Sequence, residues 1–439
     1  MQGPVHIIGG GLAGTEAAWQ LARRGVASRL YEMRPVRVTP AHRTDRLAEL
    51  VCSNSLKTDT ANTAPWLLKE ELRRLGSLLL QAAASARVPG GQALTVDREI
   101  FAEAVTCAVE NEALIEIVRE EVTALPDGVC IVASGPLTSD ALAEEIARLT
   151  GSGRLSFYDS ISPIVDASTI DRNIAFAASR HGKSLDGGDD YLNCPLDRGQ
   201  YEAFVDALLA GEQVPAHIEQ DNPCYFEACL PIEVLARRGR ETLRFGPMKP
   251  TGLTDPRTGR WPYAAVQLRQ ENLRADSYNL VGFQNYLRFG EQKRILRMIP
   301  GLENAEFLRY GQIHRNTYIN APSLLTPLLS MRREPHVFFA GQICGIEGYV
   351  ESIATGLVAG LAAADLVQGA VPRPFPRESA VGSLCHYVSG AEARNYQPAN
   401  IAFDLLPPVD GFRRDRQARH AAICRRALES LEAHVHAVA

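Results

Sequence analysis

The 439-residue chain lacks the marks of several protein classes at once. Its nine cysteines are odd in number, include no C-x-x-C pair and form no His/Cys group at zinc spacing. That argues against a disulfide scaffold and a metal site, and leaves most of them as small buried hydrophobes. No apolar run approaches membrane-spanning length, and the first strand begins almost at the initiator residue, which leaves no room for a signal peptide. A cytoplasmic protein without membrane attachment is expected. Charge of one sign is also missing: the net −5 does not announce a nucleic-acid binder. The basic residues are nonetheless uneven, with Arg237, Arg238, Arg240, Arg244 and Lys249 in one group and Arg413, Arg414, Arg416, Arg419, Arg425 and Arg426 in another. RNA responds to such local fields, although a solvated helix face explains either group taken alone.

What is present is a complete dinucleotide unit at the start. Val5-His6-Ile7-Ile8 reads as a strand and runs into Gly9-Gly10-Gly11-Leu12-Ala13-Gly14, with glycines at G-x-G-x-x-G spacing. Gly9 permits the tight turn, Gly11 lets the backbone approach a pyrophosphate, and Gly14 lets the next helix pack on the strand. The phosphates belong on that helix N-terminus. A second strand, 26–31, ends at Glu32, whose carboxylate can accept from both hydroxyls of an adenosine ribose and disfavours a 2′-phosphate.

The length predicts two or three domains, or one large domain carrying an insertion. A loop over the adenosine is expected for 33–42 and a helix for 45–51, delivering Cys52-Ser53-Asn54-Ser55 to the reactive end of the cofactor. The fate of Cys52 as an ordinary buried thiol remains an equal reading at this point. Helical periodicity runs through 66–87, another helix over 99–111, and strands over 115–122 and 129–133. The latter strand ends in the turn Ala133-Ser134-Gly135-Pro136, a second cofactor contact. From about 154 the texture changes to a mixed β segment: strand-like 157–167, irregular 177–195, a helix over 201–209, strands at 263–268 and 279–283, and a helix over 291–298. A further buried strand, 337–340, leads into Gly341-Gln342-Ile343-Cys344-Gly345-Ile346-Glu347-Gly348-Tyr349 and a helix over 350–367. Such a late glycine turn can stabilise partial negative charge on a flavin ring, which favours FAD over NAD. Two or three helices finish the chain.

The predicted fold is therefore α/β: a Rossmann-like, glutathione-reductase-like FAD-binding domain over 1–153, an inserted α+β domain over 154–310, a return segment over 311–367, and a helical segment over 368–439 packed on the first domain.

Several motifs now resemble one family. Gly9 to Trp19, Val51-Cys52-Ser53-Asn54-Ser55, Phe226-Glu227-Ala228-Cys229-Leu230-Pro231, Phe245 to Pro250, His314-Arg315-Asn316-Thr317-Tyr318 and Gly345 to Tyr349 look like the TrmFO family of folate- and FAD-dependent tRNA (uracil-5-)-methyltransferases, over nearly the whole chain up to about Val367. The resemblance implies methylation of the T-loop uridine (position 54) of tRNA, with carbon from 5,10-methylenetetrahydrofolate, electrons from NAD(P)H, reduced FAD carrying both, and no obligate protein partner. It implies Cys229 as the preferred nucleophile at uracil C6 and Cys52 as the second functional thiol, base or resolving nucleophile. The chemistry asks for the same parts, because C5 of uracil is a poor nucleophile until a thiolate adds at C6, and a base must later remove the C5 proton. Tyr349 can stack on a pterin or a base, or serve simply as a core tyrosine. The sequence departs from the wider flavoprotein pattern at Gln342, where an acid usually follows the late strand, and Cys224 close before Cys229 imitates a redox pair. The rivals are a flavin NAD(P)H oxidoreductase with both cysteines as passengers, the same chemistry on ribosomal RNA, and the longer FAD enzymes that modify the wobble uridine.

Overall fold

The computed structural model describes residues 3–39, 41–151, 155–214, 230–411 and 415–438. Strand β1 (Val5–Ile8), helix α1 (Leu12–Arg23) and β2 (Ser28–Tyr31) form the predicted unit. β1 lies between β2 and β7 (Cys130–Val132), with β6 (Ile115–Val118) beyond β2 and β16 (Val337–Phe339) beyond β7, all parallel. β7 and β16 are wholly buried, as parallel strands covered on both faces should be. The architecture is the Rossmann-like α/β one.

Helix α11 (Tyr349–Val367) crosses α1 backbone to backbone. A Cβ on Gly356 would lie 2.2 Å from the carbonyl oxygen of Ala13, and one on Gly360 2.7 Å from that of Ala17, so both positions must remain bare. This helix corrects one expectation. At 19 residues and mean hydropathy 1.6 it is long and apolar enough to cross a membrane, but 72% of the stretch is buried inside the protein, where it forms the centre of the first core.

A second core sits on a six-stranded sheet ordered β10 (Phe176–Ala177), β11 (Tyr191–Leu196), β12 (Ala264–Gln270), β13 (Ser277–Leu280), β9 (Ile164–Asp166) and β14 (Phe307–Arg309), antiparallel throughout. Val266 and Leu268 of β12 belong to the same buried cluster as Phe204 and Leu208 of α6 (Arg198–Ala210). Arg269, on the opposite face by the period of a strand, turns to the first core. β8 (Leu155–Ser160) and β15 (Ile313–Tyr318) form a two-stranded ribbon on the chain's way into and out of this sheet. A small sheet, β3 (Ser55–Thr58), β5 (Ala93–Val96) and β4 (Arg87–Val88), carries the chain beyond Cys52.

Three local expectations fail. Residues 45–51 form turns, because the Glu49 carboxylate accepts from the N–H groups of Arg43 and Thr44 at 2.8 and 3.0 Å and Ala48 takes φ 52°. The long helix over 66–87 is two, α2 (Ala64–Arg74) and α3 (Leu78–Ser85), broken where Gly76 takes φ 76° and Ser77 caps the second. The irregular stretch 177–195 contains most of β11, since its partner β12 lies far downstream and supplies the pairing. At the C-terminal end, α12 (Ala380–Gly390) starts on the buried Glu71, whose carboxylate accepts from the N–H groups of Ala380 and Val381 at 2.7 and 2.8 Å.

Gly356→Ala drives a methyl into the Ala13 carbonyl. It is expected to cost about 1–3 kcal/mol by overpacking and to loosen α1, lowering both the unfolding temperature and the amount of co-purifying cofactor; thermal unfolding and absorbance spectra check this.

Candidate active site

A cleft of ≈ 1030 Å³, its open mouth included, lies at the carboxyl ends of β1, β2, β7 and β16. Gly9, Gly10, Gly11, Leu12, Ala13, Glu32, Gly135, Gly341, Gln342 and Tyr349 all line it. Two predicted residues stand behind its wall. Gly14 lies under the turn, where a Cβ would meet the Gly9 carbonyl oxygen at 1.9 Å, and Gly348 starts α11 beside Glu351 and Lys57. Gly9 itself takes φ 112°, with the Ala133 carbonyl oxygen 2.4 Å from where its Cβ would be.

Two helix N-termini face this space bare. Helices α2, α3, α6 and α12, together with α4 (Arg98–Glu110) and α5 (Asp140–Thr150), each begin on a Ser, Thr or Asp side chain that accepts from the first turn. α1 and α11 begin on Gly11 and Gly348 with no side-chain cap. Their first N–H groups and the positive ends of their dipoles are thus left to an anionic or electron-rich occupant.

Glu32 is buried and held by Arg34. Its Oε1 accepts from the backbone N–H and Nε of Arg34 at 3.0 and 2.9 Å, and its Oε2 from Arg34 Nη2 at 3.0 Å and Gly10 N–H at 3.1 Å. Burial pushes its pKa up, but the guanidinium more than reverses this and holds it below the usual carboxylate range. A carboxylate has about four acceptor positions, so a ribose hydroxyl must share or replace one of these donors. Beyond Arg34 stand Glu49, paired to it at 3.0 Å, and His42, whose pKa burial and the Arg34 charge lower to about 4, leaving a neutral imidazole. Sequence reasoning missed this Arg34–His42–Glu49 wall; the only signal was two charged residues close after Glu32.

Cys52 lies at the far end, next to the lining residue Val51. The Tyr349 hydroxyl oxygen accepts from the N–H groups of both Cys52 and Ser53, at 2.9 and 3.0 Å, which uses its lone pairs and leaves its proton to donate. Burial, followed by the charge of Cys52, pushes this phenol well above its usual range. On the other side Arg98 donates to the carbonyls of Leu50 and Cys52 at 2.7 and 3.4 Å and pairs with Glu271 at 2.6 Å. Arg269 donates to Ser53 Oγ at 2.9 Å, and the buried Asn54 side chain donates to the Gln270 carbonyl at 2.9 Å and accepts from Asn279 at 3.3 Å. The segment carrying Cys52 is therefore clamped between the two cores. Gln342 lines the cleft and donates to Glu347 Oε2 at 3.3 Å, so the carboxylate missing after β16 is present five residues on.

Cys229 and Cys224 lie outside the described residues, as do Arg413 and Arg414. Of the first basic group, Arg240 pairs with Asp206 and Arg244 with Glu241, while in the second Arg426 donates to the carbonyls of Pro407 and Pro408, so several of these cations have local structural partners.

A protein family described as "Glucose inhibited division protein A" matches residues 4–371. The chain is similar to the curated methylenetetrahydrofolate–tRNA-(uracil-5-)-methyltransferase TrmFO of Solibacter usitatus, 72% identical with all of both chains covered. It is 59% identical to that of Koribacter versatilis over 98% of this chain and 97% of the relative. Among solved structures, Aquifex aeolicus GidA superposes with TM-score 0.69 at 18% identity, covering 98% of this chain and 75% of that one, which supports the fold.

Tyr349→Phe leaves two half-buried N–H groups without their acceptor, at a cost of about 1 kcal/mol. The expected result is several-fold faster alkylation of Cys52 with the bound cofactor spectrum retained, read by timed thiol labelling and mass spectrometry; an unchanged labelling rate at Cys52 would contradict the clamp.

Proposed function

The chain belongs to the glucose inhibited division protein A family, and from that premise we propose that it acts as the TrmFO methyltransferases do, methylating C5 of a uridine in tRNA with methylenetetrahydrofolate as carbon donor. The observation that carries this is the end-to-end match to those enzymes, up to 72% identity. We take the uridine to be the one at position 54 of the T-loop, the electrons to come from NAD(P)H, and the reaction to take place in the cytoplasm, where tRNA is.

FAD fits the cleft by three features of the chain: the bare N-terminus of α1 for the pyrophosphate, Glu32 for the adenosine ribose, and the bare N-terminus of α11 for the ring. When bound, it would supply one-carbon carriage and the hydride that completes the methyl group. We read the first core as the flavin domain, 1–153 with 311–367, the second as an inserted substrate domain, 154–310, and 368–439 as packed on the former.

The chain's own residues then have these roles. Cys229 adds to C6 of uracil and turns the ring into an enolate nucleophilic at C5, and Cys52 serves as the base that takes the C5 proton or as the resolving thiol. Tyr349 and Arg98 fix the backbone of Cys52 on either side. The target uridine must leave its stack to reach them, and the cost of unstacking is met by the surface it gains.

Incubation of the purified holoenzyme with unmodified tRNA, labelled methylenetetrahydrofolate and NAD(P)H should place label in the T-loop uridine. Cys229→Ala should abolish transfer and Cys52→Ala reduce it by at least about a hundredfold, each with the yellow flavin retained. Quinone reduction without any transfer to tRNA would favour the oxidoreductase reading, and label in ribosomal RNA alone would move the substrate.

A further inference from the structure

Beside the Cys52 clamp lies a second cleft, of ≈ 910 Å³, between segment 43–50, α4 and the strands of the second core. One flank is apolar, with Leu50, Ile164 and Leu308. The other holds Arg43, Arg98 and Arg309. Arg309 is unusual among these. It is 8% exposed, it donates a long hydrogen bond to the Ala41 carbonyl at 3.5 Å, and among the described residues no carboxylate pairs with it. Burial, then the like charges of Arg98 and Arg43, bring its pKa down to about 10. A buried guanidinium without a counter-ion is costly, and folding alone gives no reason to keep one.

The acids around the cleft are already engaged. Glu271 is paired with Arg98, Glu49 with Arg34, and Asp97 caps α4 and accepts from the Leu273 N–H. Glu99 stands exposed at the rim. Arg46 pairs with Glu103, so among the described residues the lining guanidiniums without a carboxylate partner are those of Arg309 and of the exposed Arg43. The cleft thus presents an apolar slot leading to two uncommitted guanidiniums. It begins at Arg98, the same residue that holds the Leu50 and Cys52 carbonyls, and Arg309 lies within electrostatic range of both Cys52 and Tyr349.

We infer that this cleft receives the tail of the folate, the aminobenzoyl ring between Leu50, Ile164 and Leu308 and the glutamate carboxylates on Arg309 and Arg43. The inference rests on the folate-dependent reading above. A one-carbon donor must place its pterin beside the cofactor ring, near Tyr349 and Cys52, and its remaining half is a flat apolar ring ending in carboxylates. Guanidinium forks match carboxylates, and the ligand would supply the counter-ion that Arg309 lacks.

The test uses p-aminobenzoyl-glutamate with the flavin-loaded full-length protein. Titration calorimetry, which needs no turnover, should show binding to the wild type and its loss in Arg309→Met and Arg43→Gln. In methyl transfer both variants should raise KM for methylenetetrahydrofolate about tenfold or more, with KM for tRNA and for NAD(P)H unchanged. Arg309→Met should unfold at the same or a higher temperature, because an uncompensated buried charge has been removed. A purely structural arginine would give a lower unfolding temperature and an unchanged folate KM, and that result overturns the assignment. So does failure of the probe to bind the wild type, or a loss confined to tRNA or nicotinamide. If the probe binds as described but no tRNA is methylated, the tail site stands and the proposed reaction falls.

Discussion

The site depends on how one short segment, 50–55, is held. Its backbone has no regular structure until β3 begins, so it gains its shape from side chains that reach it from elsewhere: Tyr349 on α11 from one core, Arg98 on α4, itself paired with Glu271, and Arg269 and Asn279 from the sheet of the other. None of these contacts is large in energy, since an ordinary hydrogen bond contributes about 0.5–1.5 kcal/mol net. Their effect is geometric. A network that grips a segment from both sides restricts it to few arrangements, so the backbone of Cys52 is fixed where it passes the cleft. The same network joins the two cores, which makes any shift of the second sheet a shift of Cys52.

The binding cleft was legible in the sequence because its rules are local. Three glycines at fixed spacing, an acid at the end of the next strand and a glycine turn after a buried strand are all read within a few residues, and ten of the residues so found line one cavity. Local reasoning failed where a residue's role is set from a distance. Cys52 and Tyr349 are 297 positions apart, and no pattern near either says that one phenol holds the other's backbone. Nothing beside Arg98, Glu271 or Arg309 in the sequence marks them as buried, because charged residues are seldom buried and their pairing is decided by which strands become neighbours. The mistaken helix over 45–51 has a more specific cause. Glu49 is a good helix former in isolation, but its carboxylate is taken by the N–H groups of Arg43 and Thr44 and by Arg34, and these bonds are incompatible with a helical backbone there.

Gln342 shows how a departure from a pattern can be absorbed. A carboxylate at that position would face the carboxylate of Glu347, whereas the amide donates to it. The negative charge has moved along the turn, and the neutral residue left behind serves as its donor. The site is better described by where charge sits in space than by which position carries an acid.

The close crossing of α1 and α11 also bears on how the protein is made. The Arg24–Asp365 ion pair between these helices joins positions 341 apart, so the two halves of the central contact leave the ribosome at nearly opposite ends of synthesis. Until α11 arrives, the face of α1 that it will cover stays bare, and once it arrives a helix greasy enough for a bilayer must find a groove assembled much earlier. Such long-range closure is slow and exposes apolar surface meanwhile. The newborn chain is therefore at greatest risk of aggregation, and of greatest interest to chaperones, in the interval just before its last eighty or so residues emerge.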